Sequence, residues 1–191
     1  DEKALHEKEV SKILASISLH NMENEFILKR DLAIVNTLLY TGIRKGELIG
    51  LRIQDVDFGN KRLLINGKTS KSKKSRYIPL HFSLLTILKF YLKMREFKKS
   101  TCEFLFVSSK EDTHFTAHGM KYWVQKYNKL SGVNFHLHQF RHTFACNLAI
   151  QGTNIISIKN LLGHSTTQMT ERYLRSIKTE DARLHIDNLL Y

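Results

Sequence analysis

The sequence predicts an α+β domain, mostly helical, with a small antiparallel β-sheet. Three observations carry that prediction. Long segments repeat apolar residues at helical spacing, and a single proline, Pro79, interrupts the 191 residues. Three short β-favouring runs between Val56 and Ile78 are separated by glycine, asparagine and lysine-serine turns. Hydrophobic residues make up 42% of the chain and aromatics 10%, the composition of an ordinary globular core. A chain of this length buries roughly 70% of its unfolded surface within one domain. The domain is therefore expected to occupy residues 1–191, with 1–20 as a linker or its beginning.

The segment from Asn24 to Tyr40 sets Phe26, Ile27, Ala33, Ile34, Leu38 and Leu39 at broadly helical spacing, and Gly42 is its C-terminal stop. Arg44 to Leu51 reads as a short second helix. Val56–Phe58, Arg62–Ile65 and Arg76–Ile78 read as strands, joined by one long, mobile hairpin from Gly67 to Ser75. After Pro79 the chain turns helical again, near 81–97, 116–130, 138–150, 154–162 and 166–175. Phe104–Val107 is a candidate isolated strand, and Gly152 closes the helix before it.

The charge balance narrows the partner. Lysine and arginine total 30 against 18 acids, a formal charge of +12 and a pI near 9.7. That excess favours a polyanion, most often nucleic acid, although ribosomal and membrane-surface proteins share it. Cys102 and Cys146 lack metal-like spacing, so a reduced cytoplasmic protein is expected, with Cys146 buried in an apolar run. No apolar stretch approaches the roughly 18 residues a membrane span needs, and no signal peptide is recognisable. The chain opens on Asp1-Glu2-Lys3 without Met, which suggests a piece of something longer.

Four local phrases hold residues that carry chemistry. In Thr41-Gly42-Ile43-Arg44-Lys45-Gly46-Glu47-Leu48, Arg44 and Glu47 lie three apart and share a helix face. An arginine there can offer its planar fork to phosphate oxygens while the carboxylate holds it; the plainer reading is a surface ion pair. His138 and Arg141 repeat that spacing in His138-Gln139-Phe140-Arg141-His142, with Phe140, Phe144 and Leu148 packing away from the site. His138 and His142 also have the spacing of zinc ligands. Gln139, however, stands where a zinc protease carries its glutamate, and no third ligand is evident. No metal or cofactor is expected, and His142 reads as a buried histidine that positions its neighbours.

His164, in Leu161-Leu162-Gly163-His164, and Tyr173 are nine residues apart. On one unbroken helix nine steps of about 100° would turn them to opposite faces. Joint action requires a break, and Gly163 can end one helix while Ser165 or Thr166 caps the next. The tyrosine then rides a short separate helix, able to serve its own site or a neighbour's. The hairpin before Arg76-Tyr77-Ile78-Pro79-Leu80 offers Lys61, Lys68, Lys71, Lys73 and Lys74, by default solvated phosphate contacts. One of them could protonate a departing alkoxide. Cations and donors around one tyrosine are what cleaving a phosphodiester through a phosphotyrosine needs.

The order and wording of these phrases resemble the tyrosine site-specific recombinases, the phage-integrase family, over about residues 25–180. The resemblance implies a tyrosine-recombinase-like catalytic domain without the N-terminal core-binding domain that completes a clamp on DNA. It makes Arg44 and Arg141 the phosphate-binding arginines, His138 and His164 the two histidines, and Tyr173 the nucleophile. Counting back from Pro79, the family's Lys-x-x-Lys-x-Arg-x-Ile-Pro wording matches Lys71, Lys74, Arg76 and Ile78 and selects Lys71 as the proton donor. Lys68 is held in reserve, since it needs a longer turn. Glu47 and His142 support these groups, and Lys68, Lys73, Lys74 and Arg76 are expected to contact DNA.

The implied reaction is metal-free transesterification on double-stranded DNA through a 3′-phosphotyrosine, by a homotetramer on synapsed DNA that is a monomer in solution as this piece. The protein is expected in the cytoplasm, at the nucleoid when acting, without membrane contact. The tail with Ile177, Ala182, Leu184, Ile186, Leu189 and Leu190 looks amphipathic and could dock on a neighbour or on its own domain. Two rival classes are a type IB topoisomerase and an idle DNA-binding module. The His138–Phe144 wording and short tail speak against the first, and intact Arg44, Arg141 and Tyr173 against the second.

Overall fold

The spine of the molecule is α2 (Glu25–Thr41), whose Ala33, Ile34, Val35 and Leu38 are fully buried. In the computed structural model the described residues are 3–68, 70–175, 177 and 183–190. Asn24 caps α2 by accepting from the Ile27 amide, as the sequence rule for short polar caps requires. Gly42 ends it in the left-handed region at φ 63°, where a Cβ would also come within 2.4 Å of the Phe144 ring.

Ahead of it lies α1 (Glu7–His20), so of the two readings of residues 1–20, linker or beginning of the domain, the second holds. Ile13 and Ile17 are fully buried, and the helix packs on α2 and on α5 (Ala117–Ser131). The spacing of Val10, Ile13, Leu14 and Ile17 was a legible helical repeat. A polar pin fastens these helices. Tyr127 donates to the buried Asp31, which also pairs with Arg30 at 2.8 Å, and Asn21 donates to the Tyr127 oxygen at 2.9 Å.

After the short α3 (Lys45–Gly50) come β1 (Val56–Asp57), β2 (Arg62–Ile65) and β3 (Arg76–Pro79), an antiparallel sheet in the order β1-β2-β3. Leu63 pairs with Val56 and with Ile78, so one face of alternating apolar residues meets the core. Helix α4 (Phe82–Phe97) then covers α2. Phe104–Val107 is not a strand. It makes two isolated bridges, Arg52 with Phe104 and Val107 with His114, and its carbonyls are held by Arg95. The last three packed helices are α6 (Leu137–Ile150), α7 (Ile155–Leu162) and α8 (Thr167–Leu174), which contact one another pairwise.

The short α9 (Arg183–Asp187) follows. There Ile186, Leu189 and Leu190 are 59%, 56% and 96% exposed, so the tail does not bury them on its own domain. Ala182 and the Leu184 side chain lie outside the described residues. No helix among the described residues is long and apolar enough to cross a membrane.

Candidate active site

A cleft of about 700 Å³ opens where the β2–β3 hairpin, the start of α3, α6 and the α7–α8 junction meet. Arg44, Lys71, Lys74, Arg76, His138, His164 and Tyr173 line it. Residues spread over 130 positions are thus gathered at one surface depression, and among the described residues no carboxylate lines it. Such a depression suits an anionic group.

The break before α8 is what lets Tyr173 turn inward. Gly163 ends α7 at φ 70°, and Thr166 caps α8 by accepting from the Met169 amide. A Cβ on Gly163 would sit 2.9 Å from Arg76 Nη1, so glycine here satisfies both the turn and the close approach of that guanidinium. The rings of His164 and Tyr173 come to 5.0 Å despite their nine-residue separation. Tyr173 Oη lies 2.8 Å from His138 Nε2, and His142 meets the same phenol ring edge-on at 4.0 Å. Cys146 Sγ donates to the Tyr173 carbonyl at 3.3 Å, which ties α8 to α6 from behind.

Arg141 lies under the cleft rather than in its lining, only 1% exposed. Nη1 donates to the Gly42 carbonyl at 2.7 Å and Nη2 to the Leu162 carbonyl at 2.6 Å. Both acceptors close helix C-termini, where a cation is favoured. Nε is buried and makes no hydrogen bond among the described residues, and the same holds for Nη1 of Arg44. Burial, then the Arg44 charge, pushes the Arg141 guanidinium down to about 10, while Tyr173 and Glu47 act in the opposite sense. It is still a cation at neutral pH. Two arginines with unspent buried donors form a floor prepared for an anion.

Glu47 organises this floor, though through a partner the sequence reading did not assign. Its carboxylate accepts the Arg44 amide at 3.0 Å, with the Arg44 guanidinium at 3.7 Å, but its main partner is Arg76. Arg76 meets it through both terminal nitrogens, at 2.6 and 3.1 Å, and donates Nε to the Leu161 carbonyl at 2.8 Å. The Arg76 guanidinium is thereby committed within the protein. It joins β3, α3 and the end of α7. Burial alone would raise the Glu47 carboxyl; the hydrogen bonds and charge of Arg76, with the Arg44 amide and the Arg141 charge, together outweigh it and hold the carboxyl below its ordinary range. Arg76→Ala strands a carboxylate that is 1% exposed, and should cost about 3–5 kcal/mol in urea unfolding.

His164 is 6% exposed, with Nδ1 2.9 Å from Thr170 Oγ1. Burial first, then the charges of Arg141 and Arg44, pushes its imidazole down to about 3, so at neutral pH it is an uncharged hydrogen-bonding group. Between about 3 and the ordinary 6.5 the unfolded chain holds a proton that the folded chain refuses. Stability should therefore fall as pH drops through that window. In His164→Asn the loss should be smaller, measured as wild type minus variant in urea melts from pH 7 to pH 4.

Residues 3–180 match the phage integrase family. The chain belongs to that family. The match begins at residue 3 and so takes in α1. A tyrosine recombinase XerA of Pyrococcus horikoshii is 35% identical over 176 residues, 91% of this chain and 56% of that protein. The chain spans about half the length of the curated relatives it matches. An XerA recombinase crystal structure aligns with a TM-score of 0.78 at 26% identity, over 98% of this chain and 64% of that one. A Tn1549 transposon integrase in complex with circular intermediate DNA aligns at 0.74 and 25% identity, over all of this chain and 68% of that one.

Of the phage-integrase residues expected from sequence, Arg44, His138, His164 and Tyr173 line one cleft, and Arg141, Glu47 and His142 support it from beneath or beside. On the hairpin, Lys71 and Lys74 line the cleft, whereas Lys68 and Lys73 are exposed away from its lining. Sequence reasoning missed Lys159, Asn160 and Thr170. Lys159 and Asn160 lie in the turn of α7 before Gly163, on the wall facing the hairpin lysines. Thr170 sits three residues before Tyr173, the spacing that shares a helix face.

Proposed function

We propose that this chain is the catalytic part of a site-specific DNA recombinase that breaks and rejoins strands through Tyr173. One observation carries the reading. A phenol oxygen sits 2.8 Å from an imidazole nitrogen, beside two arginines with buried donors free of hydrogen bonds among the described residues, in a cleft that no described carboxylate lines. The reported DNA complex of the Tn1549 integrase supports DNA as the partner. A second cationic groove of about 600 Å³, bearing Lys45, His118, Lys121 and His136, supports it too.

In this reading Tyr173 Oη attacks the scissile phosphorus as His138 Nε2 accepts the phenolic proton. The P–O bond to the 5′ carbon's oxygen breaks, and Lys71 protonates that oxygen as it leaves. The product is a 3′-phosphotyrosine and a free 5′-hydroxyl. Arg44 and Arg141 balance the charge that builds on the non-bridging oxygens, and neutral His164 donates one further hydrogen bond. The new bond is again a phosphodiester, so attack by another 5′-hydroxyl reverses the step without ATP. Strand exchange needs four such sites, and the exposed Ile186, Leu189 and Leu190 suit contact between protomers.

Two experiments test this. A nicked duplex, chosen by binding selection from a random-sequence library, should form a protein adduct and then transfer its strand to an added 5′-hydroxyl acceptor. An adduct that relaxes supercoils but never joins a second duplex would favour the topoisomerase reading. The lysine is tested separately. Lys71→Ala should slow cleavage by roughly 10²–10⁴, the usual value of a general acid. A sulfur leaving group at the 5′ position, which departs without a proton, should restore most of the rate. If Lys68→Ala shows that pattern instead, Lys68 is the acid.

A further inference from the structure

Thr170 has no assigned role, yet its placement is specific. It is completely buried on α8, and its hydroxyl makes one hydrogen bond among the described residues, to His164 Nδ1 at 2.9 Å. His164 Nε2 makes none there, and the ring lines the cleft. An imidazole that carries one proton must choose between its nitrogens, and the partner of one nitrogen decides what the other presents. A hydroxyl can serve either tautomer. Facing a phosphate oxygen, only Nε2–H is useful, and that requires Nδ1 to accept from Thr170.

We propose that Thr170 is a positioning residue whose hydroxyl donates to His164 Nδ1 and holds the Nε2–H tautomer toward the cleft. The inference rests on the reading of this cleft as a phosphodiester-cleaving site. It also couples two events. Thr170 and Tyr173 share a face of α8, whereas His164 belongs to the α7–α8 turn. Docking of the nucleophile's helix therefore sets the histidine's donor state, and withdrawal of α8 releases it. Thr170 joins Tyr173 and His164 into one unit rather than adding a third independent contact.

The test combines kinetics with a direct view of the ring. Thr170→Val keeps the shape and removes the hydroxyl; Thr170→Ser keeps the hydroxyl. Single-turnover cleavage of the selected nicked duplex should fall roughly 10–100-fold in Thr170→Val, the usual cost of losing a histidine's orienting partner. DNA affinity should stay unchanged, and Thr170→Ser should recover most of the rate. In a His164→Ala background, Thr170→Val should change the rate less than about twofold, since its effect passes through the histidine. Full additivity there would overturn the proposal.

Nitrogen NMR of labelled histidine reads the tautomer without any activity. His164 should be protonated on Nε2 in the wild type and in Thr170→Ser, and lose that preference in Thr170→Val. A wild-type His164 protonated on Nδ1 would overturn the proposal whatever the cleavage rates. Absence of cleavage by the wild-type protein, with the Nε2–H tautomer present, would instead count against the recombinase reading and leave the Thr170 contact standing.

Discussion

Tyr173→Phe is expected to form no detectable covalent adduct while binding the selected DNA within about twofold of wild type. Removing a covalent nucleophile costs on the order of 10⁶ in rate where it has been isolated. The Tyr173 oxygen's place is at His138 Nε2, and its ring is already held by His142 and His164. A phenylalanine ring fits the same contacts, so α8 should stay docked. Affinity should persist because sequence-independent binding comes from phosphate neutralisation, supplied by Lys71, Lys74 and Lys159 along the cleft. Comparison of a denaturing gel with fluorescence anisotropy on the same duplex checks both halves. An adduct retained in Tyr173→Phe would move the nucleophile elsewhere.

The second large effect belongs to Arg141. Arg141→Ala should reduce single-turnover cleavage by at least about 10²–10³, the cost of one preorganised donor at a developing charge. Arg141→Lys should recover little of it. The guanidinium is useful because it is fixed: two nitrogens are spent on the Gly42 and Leu162 carbonyls, and the fork geometry aims the rest. An ammonium cannot span both carbonyls and still reach a phosphate. Arg141→Ala should also lower stability, because it leaves two helix-closing carbonyls without their buried partner. The two losses separate in practice: urea melts report the second, and cleavage under folded conditions the first. Recovery of full cleavage by Arg141→Lys would show that charge alone, without the fork, is what the site needs.

The outline of both fold and site was legible for physical reasons that differ by residue. Helix ends such as Gly42, Gly163, Asn24 and Thr166 are local events, governed by caps and left-handed turns within a few residues, and the structure places them within a residue or so of expectation. The turn between His164 and Tyr173 was legible from angular arithmetic alone, and the rings do converge. Residues 1–20 read as linker or beginning of the domain, and the buried Ile13 and Ile17 of α1 decide for the second. Phe104–Val107 misled because β-favouring residues were packed by Arg95 and two single bridges rather than by a neighbouring strand.

What the sequence could not show were the long-range pairings. Glu47 sits three residues from Arg44, which suggested one ion pair, but its principal partner is 29 positions away on β3. Arg76 therefore reads as a DNA contact from its lysine-rich surroundings and as an internal strut from its geometry. Arg141 likewise gives no hint in sequence that it lies beneath the cleft, anchored to two helix ends. The lysine choice depends on the path of the hairpin, and cleft lining by Lys71 but not Lys68 supports the count from Pro79.

The most direct measurement is the identity of the residue joined to DNA. The selected nicked duplex is incubated with the protein in EDTA, the adduct is digested with protease and nuclease, and the peptide that retains the nucleotide is sequenced by mass spectrometry. The expected product is a phosphotyrosyl link at Tyr173, to the 3′ side of the break, formed without metal. A nucleotide on another residue, a link to the 5′ side, or an adduct that appears only when magnesium is restored would contradict it.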